Sequence, residues 1–332
     1  MTYGLFLNMG ANLGADAAEI TALTLEQATR AEEAGFDELW VTEHHFIPFG
    51  INPSALTAAA FLLGRTTRLR VGTAVTLSPL HHPIEVAERA ALLDQLSGGR
   101  FELGIGRGGY LKDYEVLEVD TARWDGEPLH SARAILDAWS SADLAQPHHT
   151  TGPSTLQPPV LTAPHPPLLL ATRTEAAIRF AAEHGLPLQH YFGSPVDARI
   201  AQEEMYREAA PPDTSVDHLH SLIVVVDDDE AETRRHLIER LTGSFRDGDW
   251  PHVPQGGGGH RGPDGKPLDR AVMAAHVAEG AIVGPIGSVC EQLDEFQART
   301  GATRFAFYVE AIADPARIRV TLDALARHVI HR

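Results

Sequence analysis

The sequence DELWVTEHHFIPF, residues 37–49, joins a predicted strand to a cluster of ionisable and aromatic side chains. An apolar run at residues 39–41 predicts a buried strand, which ends at Glu43, His44 and His45. Two imidazoles and a carboxylate side by side can supply a general acid or base near neutral pH, or metal ligands. Adjacent strand residues point to opposite faces, so His44 and His45 cannot easily share one ion. The pattern favours catalysis or ligand binding over the alternative, histidines that cap neighbouring loops.

The composition is that of an ordinary globular protein of 332 residues, 43% hydrophobic and 22% charged. Its 27 Lys and Arg against 45 Asp and Glu give a formal net charge of -18, which argues against binding to nucleic acid or anionic lipid. Cys290 is the single cysteine, the N-terminus lacks the pattern of a signal peptide, and no apolar run approaches about 18 to 20 residues. We therefore expect a cytoplasmic protein with no nucleic-acid or membrane partner.

Predicted strands and helices alternate along the chain. The strands cover residues 3–8, 37–42, 69–77, 101–105, 168–171, 186–192, 218–226 and 304–309, and most are followed by a segment of helical pattern. Eight strands without a dividing linker predict one (β/α)8 TIM barrel domain over residues 1–332 rather than an open doubly wound sheet. Residues 250–267 contain four consecutive glycines and carry neither pattern. They are interpreted as a mobile lid or, alternatively, as a disordered surface loop.

Three further groups of residues lie at the C-terminal ends of predicted strands, where the chemistry of a barrel takes place. Ala74-Val75-Thr76 lies late in the third strand, GIGRGGY at residues 104–110 follows the fourth, and Thr172-Arg173-Thr174 follows the fifth. The glycine series suits a backbone that approaches a planar or phosphorylated ligand, although such strings also form tight turns. Thr172-Arg173-Thr174 precedes a helix, so hydroxyls, a guanidinium and free N–H groups converge there. This predicts either a phosphate site or a plain N-cap.

Four stretches of the chain resemble the bacterial luciferase-like flavin monooxygenases, most of all the α subunits of bacterial luciferase. They are TEHHFIPFG, LRVGTAVTL with the following HHP, LLDQLSGGRFELGIGRGGYLKDYEV and EHGLP. The similarity is dense from residue 3 to about 119 and patchier beyond. The resemblance implies a (β/α)8 barrel, reduced FMN taken up from a separate flavin reductase, and reaction with O2 through a flavin C4a-peroxide. The substrate would be a small organic molecule.

The resemblance also implies roles for individual residues. His44 matches the catalytic histidine, His45 a neighbour that is important for flavin chemistry, and Asp113 an aspartate that influences binding of reduced flavin. Ala74-Val75 matches a non-proline cis peptide that lies against the flavin ring, and Arg107 matches a phosphate-binding arginine. The residues predicted to bind the cofactor are Glu43, Ala74, Val75, Arg107, Tyr110, Thr172, Arg173 and Thr174.

The substrate pocket is predicted from Phe46, Phe49 and Gly106. The two phenylalanines would form an apolar wall with Tyr110, although each is also an ordinary core residue. Gly106 replaces the reactive cysteine of luciferase, which reshapes or enlarges the pocket and argues against a long-chain aldehyde substrate and light emission. We expect no metal at this site.

Three alternative functions fit parts of the pattern. An F420-dependent oxidoreductase would share the barrel and a histidine, but TEHHF and GRGGY look closer to the FMN branch. A non-catalytic flavin-binding protein would not need His44, and a metal-dependent hydrolase would need ligands at other strand ends. The chain has no nicotinamide-binding fingerprint. The Ala- and Leu-rich helix at residues 55–63 predicts a homodimer, which the family resemblance also implies.

Overall fold

The computed structural model describes residues 1–10, 15–47, 49–141, 143–144, 154–244 and 269–331. Within these residues the strands are β1 (Thr2–Leu7), β2 (Glu38–Val41), β3 (Arg70–Thr73), β4 (Thr76–Leu77), β5 (Phe101–Gly106), β6 (Leu168–Ala171), β7 (Gln189–His190), β8 (Leu219–Val226), β9 (Ile282–Gly284) and β10 (Arg304–Tyr308). The α-helices are α1 (Ala17–Glu33), α2 (Ala55–Arg65), α3 (Pro83–Ser97), α4 (Leu111–Val116), α5 (Arg123–Ser140), α6 (Glu175–Glu183), α7 (Val196–Ala209), α8 (Glu230–Ser244), α9 (Arg270–Glu279), α10 (Ile286–Thr300) and α11 (Pro315–Leu325). Short 3-10 helices cover Ser78–Leu80 and Glu310–Ile312, and a π-helical turn, Ala326–Ile330, follows α11.

The strands form a closed ring of parallel pairs. The hydrogen-bonded order runs β4-β5-β3-β2-β1-β10-β8-β7, and β6 pairs with β5. The isolated bridge between Leu170 and Leu188 joins β6 to the start of β7 and completes the ring. β4 continues the line of β3, and β9 pairs with the last residues of β8. Eight barrel positions separated by helices confirm the predicted (β/α)8 TIM barrel.

The barrel interior is filled by a large side chain beside a glycine and by a layer of paired charges. Trp40 on β2 pairs in register with Gly72 on β3, where a Cβ would lie 2.2 Å from the indole ring. Arg304 on β10 contacts Glu38 at 2.8 Å and Glu102 at 2.5 Å, and all three side chains are buried. Burying such charges is costly unless they are paired, so each carboxylate requires its guanidinium partner.

Two predicted strands differ from the observed ones. The strand expected over residues 69–77 is divided into β3 and β4 by a cis peptide bond between Ala74 and Val75. The strand expected over residues 186–192 was wrong in extent, since only Gln189–His190 pairs as β7. Pro187 lacks an N–H group, and the chain turns after Tyr191, where Ser194 N bonds to the Tyr191 carbonyl.

The chain between residues 269 and 303 contains α9, β9 and α10, none of which was predicted from the sequence. The predicted lid at residues 250–267 lies outside the described residues. None of the helices in the described ranges combines the length and the apolar character required to cross a bilayer.

Candidate active site

Glu43 anchors the C-terminal end of β2 to its neighbours. Its Oε1 accepts hydrogen bonds from Leu77 N at 3.2 Å and from His81 Nε2 at 3.0 Å. His45 Nε2 lies 3.6 Å from the same oxygen, and Oε2 accepts a bond from Ala55 N, at the start of α2. Although burial opposes the effect, the contacts with both imidazoles lower the pKa of Glu43 to about 2. The ionised carboxylate therefore connects the end of β2 to β4, to His81 and to the start of α2. Its role in cofactor binding stays a prediction.

His44 is held in one tautomer by Asn8. Asn8 Nδ2 donates to the Phe49 carbonyl at 2.6 Å, so Asn8 Oδ1 faces His44 Nε2, at 3.1 Å. Because an amide oxygen only accepts hydrogen bonds, His44 Nε2 carries the proton and Nδ1 is left as an acceptor. Burial lowers the pKa of His44 to about 4, so the imidazole is neutral at pH 7. The neutral, oriented imidazole presents Nδ1 as an acceptor, although a pKa of about 4 makes it a weak base.

Close packing fixes the position of the His44 ring. The ring meets Phe49 edge-on at 5.1 Å and Tyr110 at 6.2 Å between centroids. A Cβ at Gly50 would lie 2.5 Å from His44 Cδ2, so a side chain at that position would displace the imidazole. The structure thus brings together three of the predicted site residues, His44, Phe49 and Tyr110, from the ends of β2 and β5.

Asn8, the first residue after β1, was not predicted as a site residue. Glu310, just after β10, accepts hydrogen bonds from Asn8 N at 2.9 Å and Met9 N at 3.1 Å through Oε2. Its Oε1 accepts a bond from Gln27 Nε2 at 2.8 Å, and burial raises the pKa of Glu310 to about 6. A polar residue at the end of an apolar strand was the available signal for Asn8, whereas its pairing with His44 depends on the fold.

His45 and Asp113 are a second pair of titratable groups in the site, and the charge of each affects the pKa of the other. The contact with Glu43 raises the pKa of His45, and the charge of Asp113 contributes in the same direction. Asp113 is buried on α4, and its Oδ1 has no hydrogen-bond partner among the described residues. Burial raises the pKa of Asp113 to about 7. The neighbouring imidazoles of His44 and His45 are therefore driven toward different protonation states.

The peptide bond between Ala74 and Val75 is cis, which confirms the prediction for this position. Gly106 at the end of β5 lies against this segment, because a Cβ there would be 2.8 Å from Val75 Cγ2 and 3.3 Å from Ala171 Cβ. The missing side chain at Gly106 thus accommodates Val75. The roles of Ala74 and Val75 against a flavin, and of Gly106 in a substrate pocket, stay predictions.

Arg107 and Thr172 follow directly on paired strand ends, since Gly106 on β5 is in register with Ala171 on β6. The Arg107 guanidinium lies over the Trp124 ring, 4.7 Å from its centroid. Trp124 is buried and was not predicted as a site residue. A stacked arginine keeps its charge and its outer N–H groups in a preferred orientation.

Thr174 is the N-cap of α6. Thr172 Oγ1 accepts a hydrogen bond from Thr174 N at 3.3 Å, and the two hydroxyl oxygens lie 3.4 Å apart. Arg173 is exposed. Burial raises the pKa of Tyr191, and the positive charge of Arg173 partly offsets this effect. Hydroxyls, a helix N-terminus and two arginines at neighbouring strand ends form a set of donors suited to a phosphate group.

Phe46 is farther into solvent than the sequence suggested. Its side chain is 48% exposed and its backbone φ is 56°, whereas Phe49 is half-buried. A flavin mononucleotide has a planar ring and an anionic tail. The half-buried aromatic groups around His44 fit the ring, and the hydrogen-bond donors at the ends of β5 and β6 fit the phosphate. A substrate role for Phe46 stays a prediction.

Comparisons with known proteins agree with this arrangement. The family model described as luciferase-like monooxygenase matches residues 1–304, so the chain belongs to that family. The alkanal monooxygenase alpha chain of Photorhabdus luminescens is 32% identical over 218 residues, which are 61% of this chain. That alignment spans 58% of the relative's length.

Two solved structures share the fold. Monooxygenase RslO1 from Streptomyces bottropensis superposes with a TM-score of 0.82 and 24% identity, covering 100% of this chain and 99% of that one. The oxygenating constituent of 3,6-diketocamphane monooxygenase from Pseudomonas putida, solved in complex with FMN, gives 0.74 and 19%, covering 100% and 98%. At these identities the likeness establishes the fold alone.

We predict that Asp113→Asn reduces the dependence of stability on pH. The pKa of Asp113 is about 7 when folded, against about 3.9 for an unfolded aspartate, so the folded chain holds the proton more tightly. Its stabilising contribution is complete below about pH 4 and is lost as pH rises through about 7. The melting temperature of the wild type should therefore fall more than that of Asp113→Asn between about pH 5 and 8.

The matched control is Asp137→Asn, which removes an exposed carboxylate from α5. This control should follow the wild type across the whole pH range. Parallel curves for the wild type and Asp113→Asn would contradict the prediction.

Proposed function

We propose that the chain is a monooxygenase that uses reduced FMN and O2 to oxygenate a small organic substrate, and that a separate reductase supplies the flavin. The observation that carries this proposal is the neutral, oriented imidazole of His44 beside half-buried aromatic rings. It is supported by membership of the luciferase-like monooxygenase family. Hydroxylation and insertion of oxygen next to a carbonyl are both within this chemistry.

Reduced FMN, when bound, supplies the electrons that activate O2. Arg107 and Thr172-Arg173-Thr174 would hold the phosphate through charge and N–H donation. Phe49 and Tyr110 would limit the access of water to the reacting atoms.

His44 is the proposed proton acceptor, because Asn8 occupies Nε2–H and leaves the Nδ1 lone pair available. Asp113 can exchange a proton near neutral pH, since its pKa is about 7. A charged His45 next to ionised Glu43 would form an ion pair in the site, so the two side chains would offer the cofactor a dipole rather than a net charge.

We predict that the protein binds reduced FMN and transfers oxygen from 18O2 to a member of a probe panel of aldehydes, cyclic ketones and phenols. The His44→Gln variant should bind FMN as the wild type does but form product about 100-fold more slowly, the usual contribution of a general acid or base. Mass spectrometry of the product measures oxygen transfer, and flavin fluorescence measures binding. Asn8→Leu should give an intermediate loss, because it keeps the imidazole but removes the bond that orients it.

The same mixtures are run with reduced F420 in place of FMN. Hydride transfer with F420, without uptake of O2 or binding of FMN, would reject the proposal in favour of an F420-dependent oxidoreductase. FMN binding with no transfer of 18O, and no effect of His44→Gln on flavin reoxidation, would indicate a non-catalytic flavin-binding protein.

Arg107→Ala should weaken FMN binding by about 1.5 to 3 kcal/mol, or roughly 10- to 150-fold, as expected for a lost charge-assisted hydrogen bond. Binding of riboflavin, which has no phosphate, should change little. Arg133→Ala is the matched control, because Arg133 also stacks on an aromatic ring, 5.5 Å from the centroid of Phe180. An equal loss of FMN and riboflavin affinity would place the role of Arg107 elsewhere.

A homodimer is also part of the proposal. The neighbouring helices α2 and α3 expose apolar side chains, with Phe61 54%, Leu92 45% and Leu96 74% accessible. Such a surface suits an isologous contact between two copies. Light scattering should give twice the chain mass, and Leu96→Glu should shift the mass toward that of one chain. Val320→Glu, at an exposed position on α11, should have no effect, and a monomeric wild type would contradict the proposal.

A further inference from the structure

A second cluster of ligating side chains lies outside the barrel interior, between β7, β8 and α7. His190 on β7 and His220 on β8 are in register, and Glu203 reaches them from α7. Gln189 points into the barrel, where its amide bonds to the Thr73 carbonyl at 3.0 Å. Alternate residues on a strand face opposite sides, so His190 points outward toward the helix. All three residues of the cluster are buried.

The three side chains converge on a single region of space. Glu203 Oε1 lies 2.9 Å from His190 Nε2 and 3.2 Å from His220 Nε2. One potential ligand atom from each residue lies within 4.8 Å of the others. Bonds of about 2.0 to 2.1 Å in a tetrahedral zinc site place neighbouring ligand atoms about 3.3 Å apart. The observed separations are close to those of ligands around one ion.

The contacts between Glu203 and the two histidines have the length of hydrogen bonds, but they leave two of the ligand atoms unsatisfied. In the described part of the chain, His190 Nε2 and Glu203 Oε1 have no hydrogen-bond partner of good geometry despite their short separation. Buried polar atoms in folded proteins are normally satisfied, so these two unsatisfied ligand atoms indicate that a further group belongs between them.

Arg199, one turn before Glu203 on α7, is the nearby positive charge that opposes a cation. Its guanidinium is directed mainly to backbone carbonyls, because Nε donates to Ser194 O at 3.0 Å and Nη2 donates to Tyr191 O at 2.8 Å. Nη2 also lies 3.0 Å from Ser221 O. Arg199 therefore donates its hydrogen bonds to carbonyls of the loop after β7 and of β8. The carboxylate of Glu203 contacts the two histidines instead.

We propose that His190, Glu203 and His220 bind one divalent transition-metal ion, with zinc as the best match to the ligand set. Two imidazoles and one carboxylate are characteristic zinc ligands, and cobalt and nickel accept the same donors. The ion fastens α7 to β7 and β8 on the outer face of the barrel. Its role is structural, since the ligands point away from the interior and belong to none of the residues around His44.

The test uses untagged protein, stripped with a chelator and then dialysed against Zn2+ or Co2+. The wild type should retain about one ion per chain by elemental analysis, and Co2+ should give visible absorption bands of a low-coordinate site. Glu203→Gln and His190→Gln should weaken metal binding by at least about 100-fold. His276→Gln, at an exposed position on α9, is the matched control and should bind as the wild type does.

Thermal unfolding with and without the chelator provides a second readout that does not depend on activity. Chelation should lower the melting temperature of the wild type and of His276→Gln, but leave that of Glu203→Gln unchanged, whatever the absolute stability of that variant. Retention of less than about 0.1 ion per chain by the wild type would overturn the proposal. Equal retention by the wild type and Glu203→Gln would also overturn it, because the ion would then be bound elsewhere.

Discussion

The buried charged layer at the N-terminal end of the barrel sets the register of the strands around it. Arg304 bridges Glu38 and Glu102, and Arg70 adds a further contact with Glu102 at 3.2 Å. A shift of one residue in any of these strands would turn its charged side chain out of the barrel and leave a partner buried alone. Such a layer adds little net stability compared with an apolar one, but it discriminates strongly between registers. The register in turn determines which residues reach the opposite end, where Glu43 and His44 lie.

At that opposite end, the protein places two adjacent histidines in different environments. His44 is buried and faces the neutral amide oxygen of Asn8, and its pKa is lowered. His45 faces the carboxylate of Glu43, and its pKa is raised. Environments that separate the pKa values of neighbouring groups allow one site to contain both an acid and a base. Glu43 also contacts α2 and the segment after the cis peptide, which couples the protonation of His45 to the backbone around it.

Much of the fold was predictable from the sequence, because alternating apolar strands and helical segments have strong periodic signals. The eight barrel strands were found, and the family resemblance located the cis peptide at Ala74-Val75. Residues whose role depends on contacts between distant segments were not predictable in this way. Asn8 and His44 are 36 residues apart, and the His190, Glu203 and His220 cluster combines two strands and a helix that carry no shared motif. Such pairs are determined by register and by helix packing.

The pairing between β6 and β7 is shorter than the other strand pairings of the ring. It consists of the single Leu170–Leu188 bridge, in which Leu170 N donates to the Pro187 carbonyl at 3.0 Å. So short a pairing opens more easily than a longer ladder, and exchange of backbone amides with solvent should therefore be fastest on the strands beside it.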